Sequence, residues 1–260
     1  MNYLEGSLNE YNQKDAENNL KLAVEYIYEK NEEKDFKDFL ILCKKSALQG
    51  NVEAQFILGL LYQSGIEGLE GYFGVDMPKH EKYGKIDLEK SLYWFDMASK
   101  KGSSKAQYTL GYIYEQGLGV EIDYKKAVEF YKKSALQGDP IGQCNLGYMY
   151  EKGLGIEVDL KKAVLWYEKS ALQGDEVGQN NLGEAYRDGI GVEIDYEKAL
   201  DLFLKSAEQG CSEAEYNIGI IYEKGLGLEA DHKQAAIWYE KAYNNGLDKA
   251  KDKLEALILS

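Results

Sequence analysis

The chain has 260 residues, and its 45 acidic and 31 basic side chains give a net charge of −14. A surface of this sign repels phosphate backbones, which argues against nucleic acid as a partner, although acidic charge is also the ordinary way for a protein to stay soluble. No apolar run approaches the length of a membrane span, and the start, MNYLEGSLNE, lacks the basic and apolar regions of a secretory signal.

One eight-residue stretch occurs three times along the chain. It is KKSALQGN at 44–51, KKSALQGD at 132–139 and EKSALQGD at 168–175. The last two copies are 36 residues apart, and the first two are 88 apart, which is two periods of 36 plus 16. We therefore expect a stack of 36-residue units, with a 16-residue insertion within residues 66–86.

This period predicts three parts in chain order. Residues 1–50 form a degenerate N-terminal helix pair, residues 51–246 form five repeats, the first of which carries the insertion, and residues 247–260 form a C-terminal capping helix. Each repeat has Leu-Gly or Ile-Gly, then a tyrosine three residues after the glycine, then an aspartate. The tyrosines are Tyr62, Tyr114, Tyr150, Tyr186 and Tyr222, and the aspartates that follow them are Asp87, Asp123, Asp159, Asp195 and Asp231.

Each repeat is predicted to be two helices, called A and B here. In one copy, Asp139 and Pro140 have the side chains expected at the cap and first position of helix A, and Gly153 is expected to end that helix. Asp159 should cap helix B, and Gly174 should end it. Small and large residues on one face of helix A, among them Leu146, favour close packing against helix B. The predicted core partners on helix B are aromatic or apolar pairs: Trp94-Phe95, Phe130-Tyr131, Trp166-Tyr167, Leu202-Phe203 and Trp238-Tyr239.

The pattern A/G-x-x-x-L-G-x-x-Y-x-x-G-x-G, then Asp, then K-A-x-x-W/F-Y-x-K-S/A-A-x-x-G, resembles the Sel1-like repeat family, relatives of the tetratricopeptide repeat. The resemblance implies an all-α protein, an α/α solenoid that forms a right-handed superhelix and binds partners along the concave face of its A helices. Gln234, Gly142 and Gly178 depart from the family's usual residues. None of these departures threatens the fold.

The resemblance also leaves one enzymatic alternative. A secreted, cysteine-rich branch of the family has been assigned penicillin binding and β-lactamase activity, but its regular cysteine pairs are absent here. Cys43, Cys144 and Cys211 lie at different positions of the repeat, which favours a reducing, cytoplasmic compartment. The chain has only two histidines, His80 and His232, and no H-E-x-x-H, G-x-S-x-G or phosphate-binding glycine motif. We therefore predict a non-enzymatic protein with no metal and no cofactor.

A helical wheel for helix A predicts which side chains face the groove. Three positions per repeat lie opposite the buried face, at about 100° per residue. They are Phe56, Leu60 and Gln63; Tyr108, Tyr112 and Glu115; Cys144, Tyr148 and Glu151; Asn180, Glu184 and Arg187; and Tyr216, Ile220 and Glu223. Aromatic side chains beside carboxylates favour a binding surface, and the alternative is packing between neighbouring A helices.

Two further features are candidates for the same site. Thr109, Asn145, Asn181 and Asn217 recur one period apart. In related tetratricopeptide proteins, asparagines at such positions can hold a bound peptide, and the alternative is a local cap or a hydrogen bond between repeats. The insertion has Tyr72, Phe73 and Tyr83 in what is expected to be an exposed loop, which either customises binding or has no role.

The leading functional hypothesis is a scaffold that binds another protein and is itself a monomer. A narrower version is an immunity or antitoxin-like protein whose acidic groove occludes a basic patch on a toxin domain. The alternative from another class is the β-lactamase-like enzyme.

Overall fold

The structure is a computed structural model that describes residues 2–29, 33–74 and 85–259. Within these ranges every regular element is an α-helix, and there are thirteen of them. They are α1 Asn2–Glu29, α2 Glu33–Leu48, α3 Val52–Phe73, α4 Leu88–Lys100, α5 Ser104–Gln116, α6 Tyr124–Leu136, α7 Pro140–Lys152, α8 Leu160–Leu172, α9 Glu176–Asp188, α10 Tyr196–Glu208, α11 Ser212–Lys224, α12 His232–Asn244 and α13 Lys249–Leu259. The all-α solenoid of helix pairs predicted from the repeats is confirmed.

The predicted helix boundaries in the repeat of α7 and α8 are confirmed. The side chain of Asp139 accepts a hydrogen bond from the backbone N–H of Gly142, and Pro140 is the first residue of α7. Gly153 ends α7 with φ at 68°, a left-handed conformation that glycine adopts without strain. Asp159 caps α8 by accepting from the backbone N–H of Lys162 at 3.0 Å.

The chain forms two compact units, Met1–Phe130 and Tyr131–Ser260. In the first unit α1 packs on α2, α2 on α3, α3 on α4, and α4 on α5. Its core contains Phe39, Leu58, Phe95 and Leu110, all nearly inaccessible to solvent.

In the second unit each helix from α7 to α13 packs on the next. The predicted pair on helix B divides its roles, because the second member is fully buried and the first is half-buried, as at Tyr167 and Trp166. The Tyr167 ring lies so close to α7 that a Cβ on Gly147 would come within 2.8 Å of it. This is the physical reason for the glycine of the Leu-Gly pair.

Candidate functional site

The predicted groove face is partly exposed in the second unit. Tyr148 on α7 is exposed, as predicted, but Cys144 and Asn180 are buried, so the wheel was wrong at these two positions. The reason lies in the stacking, since α7 contacts α9 and α9 contacts α11 in addition to their B helices. Each A helix therefore buries a second flank, and only a narrow arc of its predicted outer face reaches solvent.

The first unit corrects the prediction at Phe56. Its ring is 2% exposed and lies 5.6 Å from both the Tyr72 and the Phe95 ring, centre to centre. Phe56 is therefore a core residue and not a groove residue. Leu60 is half-buried, and Tyr112 on α5 is exposed as predicted.

The first part of the insertion is not a loop. Gly65, with φ 68° and ψ −151°, kinks α3, and the helix resumes through Phe73. Leu69 is fully buried, and the rings of Tyr72 and Phe73 are half-buried instead of exposed. The Tyr72 hydroxyl donates to Glu53, and Phe73 meets the Phe39 ring edge-on at 6.3 Å. Tyr83 lies outside the described residues.

Two glutamates of the predicted groove face, Glu151 and Glu223, accept hydrogen bonds from buried tyrosines. The Tyr167 hydroxyl on α8 donates to Glu151 Oε2 on α7 at 2.9 Å. The same bond joins Tyr239 on α12 to Glu223 on α11. Lys152 and Lys253 also contact these two carboxylates. Both glutamates are thus bonded within the chain.

The repeat of α9 and α10 has a different pair. Phe203 replaces the tyrosine, and Arg187 replaces the glutamate, with its guanidinium carbon 5.8 Å from the ring centre of Phe203. The guanidinium donates to both carboxylate oxygens of Asp188, at 2.8 and 2.6 Å, and to Asn217 Oδ1 at 2.6 Å. The sequence follows one rule in five repeats. Tyrosine occurs with glutamate at 131 and 115, 167 and 151, and 239 and 223, while phenylalanine occurs with Gln63 or Arg187 at 95 and 203.

Two of the three asparagines that recur one period apart, Asn181 and Asn217, form hydrogen bonds to a neighbouring repeat. Asn217 on α11 donates to Asn180 Oδ1 and Glu184 Oε1 on α9, both at 2.9 Å. Asn181 donates to the Cys144 sulfur at 3.4 Å, and Asn145 is half-buried. For Asn217 and Asn181 the hydrogen bond between repeats is therefore what the structure contains. Tyr108 and Tyr216 are half-buried.

The surroundings of the tyrosine–glutamate pairs shift the pKa of Tyr167, Tyr239 and Glu223. Burial, followed by the charge and hydrogen bond of Glu151, raises the pKa of Tyr167. Burial alone would raise the pKa of Glu223, but hydrogen bonds from Tyr239 and Lys253 outweigh it and lower that pKa. At neutral pH the neutral hydroxyl of Tyr239 therefore donates to the ionised carboxylate of Glu223. Tyr167 and Tyr239 were not predicted from the sequence as the hydrogen-bond partners of Glu151 and Glu223, although the pairing of tyrosine with glutamate was present in it.

Metal-binding clusters are absent from the part of the chain that the structure describes. In these ranges no group of three or more histidine, cysteine or acidic side chains is placed to hold a metal ion. None of the helices described is long and apolar enough to cross a membrane. On the predicted groove face, two tyrosines are exposed, Tyr112 in the first unit and Tyr148 in the second. Exposed aromatic rings of this kind are suited to contact with a partner.

A family model, Sel1 repeat, matches six segments of the chain. They are residues 52–71, 72–103, 104–139, 140–175, 177–211 and 212–247. The chain belongs to the Sel1 repeat family. Sel1 repeat proteins generally act as protein-interaction scaffolds.

Two solved Sel1 structures are similar to this chain. A Sel1 repeat protein from Oxalobacter formigenes is 28% identical, with a TM-score of 0.75 over 91% of this chain and 86% of that one. The protective antigen c5321 of uropathogenic Escherichia coli is 35% identical, with a TM-score of 0.61 over 93% of this chain and 56% of that one.

A curated relative is much longer than this chain. Chitin synthase regulatory factor 3 of Schizosaccharomyces pombe is 32% identical over an alignment of 102 residues, and the match covers 30% of this chain and 11% of that protein. The chain therefore spans about a tenth of the length of the curated relative it matches.

Proposed function

We propose that this chain is a non-enzymatic scaffold that binds a partner protein with the exposed arc of its A helices. The observation that carries the proposal is the pair Tyr112 and Tyr148. They occupy the same repeat position 36 residues apart, and they are 48% and 37% exposed. Phe56, Cys144 and Asn180, which belong to the same predicted face, are buried.

Tyrosine suits a contact residue because it offers a large, rigid ring at a small cost in side-chain entropy, together with a hydroxyl. Lys152 Nζ lies 5.8 Å from the centre of the Tyr148 ring. A partner that covers Tyr148 would thus meet an aromatic surface beside the ion pair of Lys152 and Glu151. Each unit carries one such tyrosine and is tested separately.

The test is a quantitative pull-down with wild-type protein and single variants, read by mass spectrometry. Tyr148→Ala should weaken capture of the specific partner, and Tyr243→Ala is its matched control, because Tyr243 on α12 is 38% exposed. For the first unit, Tyr112→Ala is compared with Tyr93→Ala on α4, whose side chain is 54% exposed.

Weakened capture in the A-helix variants alone supports the proposal. Equal capture by wild type and both A-helix variants would place the contact elsewhere on the chain, and equal losses in the controls would mean that exposed tyrosines contribute without regard to position. Binding kinetics with the identified partner then separates effects on association from effects on dissociation. Loss of an aromatic contact should hasten dissociation, by about tenfold for each 1.4 kcal/mol.

The narrower form of the proposal is an immunity or antitoxin-like protein that binds a basic patch on a toxin. Three glutamates of the predicted groove face are already bonded within the chain: Glu151 and Glu223 each to a tyrosine and a lysine, and Glu184 to Asn217. The support that remains is the net charge of −14. A basic partner should associate more slowly as salt rises, since surface charge is screened over about 8 Å at physiological ionic strength.

The non-enzymatic, monomeric and cytoplasmic parts of the proposal have direct tests. Turnover of a chromogenic β-lactam by the purified chain would favour the enzymatic alternative. A molar mass near 29.4 kDa by light scattering would support a monomer. All three cysteines are free, as expected in a reducing compartment, and fluorescent tagging in the native cell tests the location.

A further inference from the structure

The first helix is longer than every A helix of the repeats. Among these, α3, which continues past the kink at Gly65, has 22 residues. α1 has 28 residues, whereas α5, α7, α9 and α11 have 13 each. Asp15 lies 36 residues before Asn51, the residue that caps α3, so the other repeats begin helix A where α1 is already in its middle. The preceding turns of α1 have no counterpart in the other repeats.

Two adjoining cavities lie along this helix in the first unit. The larger, about 750 Å³, is lined by polar groups that include Asn12, Gln13, Gln49 and Lys101. The smaller, about 420 Å³, exposes mainly the apolar surface of Leu20, Val24 and Tyr28, and Lys21 and Glu25 also line it. Glu17 and Asn51 line both cavities, so the two form one continuous cleft.

The dimensions of the cleft fit an extended peptide. Asn12 and Tyr28 are 16 positions apart on α1, which is about 24 Å at the rise of an α-helix. An extended chain advances about 3.3 Å per residue, so roughly seven residues span the cleft. The backbone of such a segment can bond to the amides at the polar end.

Charge points to the composition of the segment. Glu17 stands where the two cavities meet, is exposed, and accepts a hydrogen bond from Gln13 Nε2 at 3.3 Å. Glu25 and Glu53 also line the cleft, together with Lys21 and Lys101. Lys21 is four residues from Glu17 on α1, but among the residues that the structure describes no lysine or arginine lies within ion-pair distance of Glu17. The chain as a whole carries a net charge of −14, which attracts cationic segments from a distance.

We propose that this cleft binds an extended segment of about seven residues from a partner protein. A large apolar side chain of that segment packs against Leu20, Val24 and Tyr28, and a neighbouring lysine or arginine pairs with Glu17. The apolar wall supplies the contact area, and the carboxylate sets the register of the peptide. The site is separate from the tyrosine face of the proposed function and does not depend on it.

The experiment selects random heptapeptides by display on the full chain and measures one selected, fluorescein-labelled heptapeptide by anisotropy. Selected sequences should pair a large apolar residue with a basic one. Val24→Asp and Glu17→Lys should each weaken binding by about tenfold or more, because one puts a charge into the apolar wall and the other reverses the charge at the junction. Glu17 is exposed, so its substitution leaves the fold intact, and a thermal melt checks Val24→Asp.

Two controls make the result decisive. Leu22→Asp changes a side chain that is 44% exposed and lies about 160° around α1 from Val24, so it should leave heptapeptide binding unchanged. Tyr148→Ala should also bind the heptapeptide normally, which separates this site from the proposed function. Failure to select any heptapeptide, or equal binding by wild type, Val24→Asp and Glu17→Lys, would overturn the proposal.

Discussion

The repeats of α7–α8 and α9–α10 fill the same core position, against the glycine of helix A, with different aromatic side chains. In the first, the Tyr167 ring fills the space against Gly147 and its hydroxyl donates to Glu151. In the second, the Phe203 ring fills the equivalent space and has no hydroxyl to satisfy, and Arg187 lies over the ring. Both repeats need an aromatic ring in the core. The residue of helix A beside the ring depends on whether the ring carries a hydroxyl: it is Glu151 beside Tyr167 and Arg187 beside Phe203.

The repeat of α11–α12 shows that the difference is local. It returns to the tyrosine and glutamate pair, with Tyr239 donating to Glu223, although it packs directly on the repeat that has Phe203. A buried hydroxyl without a partner costs about 1–3 kcal/mol, so each repeat has reason to keep its own pair matched. Glu151 and Glu223 are therefore explained by packing within their own repeats.

The largest expected effect on stability is at the leucine that both repeats bury at the same position of helix A. Leu146→Ala and Leu182→Ala should each lower the free energy of unfolding by about 2–5 kcal/mol, because both remove buried methyl groups from the same position of helix A. Chemical denaturation measures both. A loss below about 1 kcal/mol in either variant would mean that the leucine is not a core residue in that repeat.

Removal of the hydroxyl should affect only one of the two repeats. Tyr167→Phe leaves the ring in place but deprives Glu151 of a charge-assisted hydrogen bond, so stability should fall by about 1–3 kcal/mol. Tyr243→Phe is the control and should change little, because the side chain of Tyr243 on α12 is exposed. If the two variants unfold at the same denaturant concentration, the buried bond contributes nothing to the stability of the fold.

An exchange of the pairs tests the comparison itself. Arg187→Glu should destabilise the protein on its own, because it sets a carboxylate near Asp188 and loses the bond to Asn217. Phe203→Tyr adds the missing hydroxyl, and the double variant should recover stability by a coupling energy of about 0.5–3 kcal/mol. Strict additivity in a double-mutant cycle would show that the side chains at positions 187 and 203 do not stabilise each other.

Acidification should reduce the difference between wild type and Tyr239→Phe. The pKa of Glu223 is lowered in the fold, so its bonds stabilise the protein above the ordinary glutamate pKa, and this stabilisation is lost as the pH falls through the folded value. Without the hydroxyl of Tyr239 the pKa is lowered less. Urea midpoints from pH 7 downward should therefore converge, and a constant gap would contradict the linkage.

The smallest expected effect is at Tyr148. Its side chain is exposed on α7, so Tyr148→Ala should change stability by about 0.5 kcal/mol or less, in contrast to Leu146→Ala two residues away. The same denaturation experiment measures both. A cost as large as that of Leu146→Ala would make Tyr148 a packing residue and remove the main support for a contact surface there.

Much of the fold could be predicted because its signals are local and repeated. The period of 36, the aspartate before each helix B and the glycine after each helix A define the helix pairs, since caps and left-handed glycines act within a few residues. Close approach at Gly147 and burial at Leu146 follow from the spacing along one helix. The Sel1 repeat family membership rests on these same features.

The candidate site could be predicted only in part, because exposure depends on neighbours that are distant in sequence. A wheel drawn for one helix placed Phe56 outside, but Tyr72 from beyond the kink at Gly65 lies on its ring. Burial of Cys144 likewise required the neighbouring A helix. The sequence alone therefore determined the repeat, its helix ends and its core face, since these depend on periodicity and short-range hydrogen bonds. Only the tertiary structure decided which outward side chains remain accessible and which glutamates are already bonded, because packing between repeats and the position of the inserted helix control both.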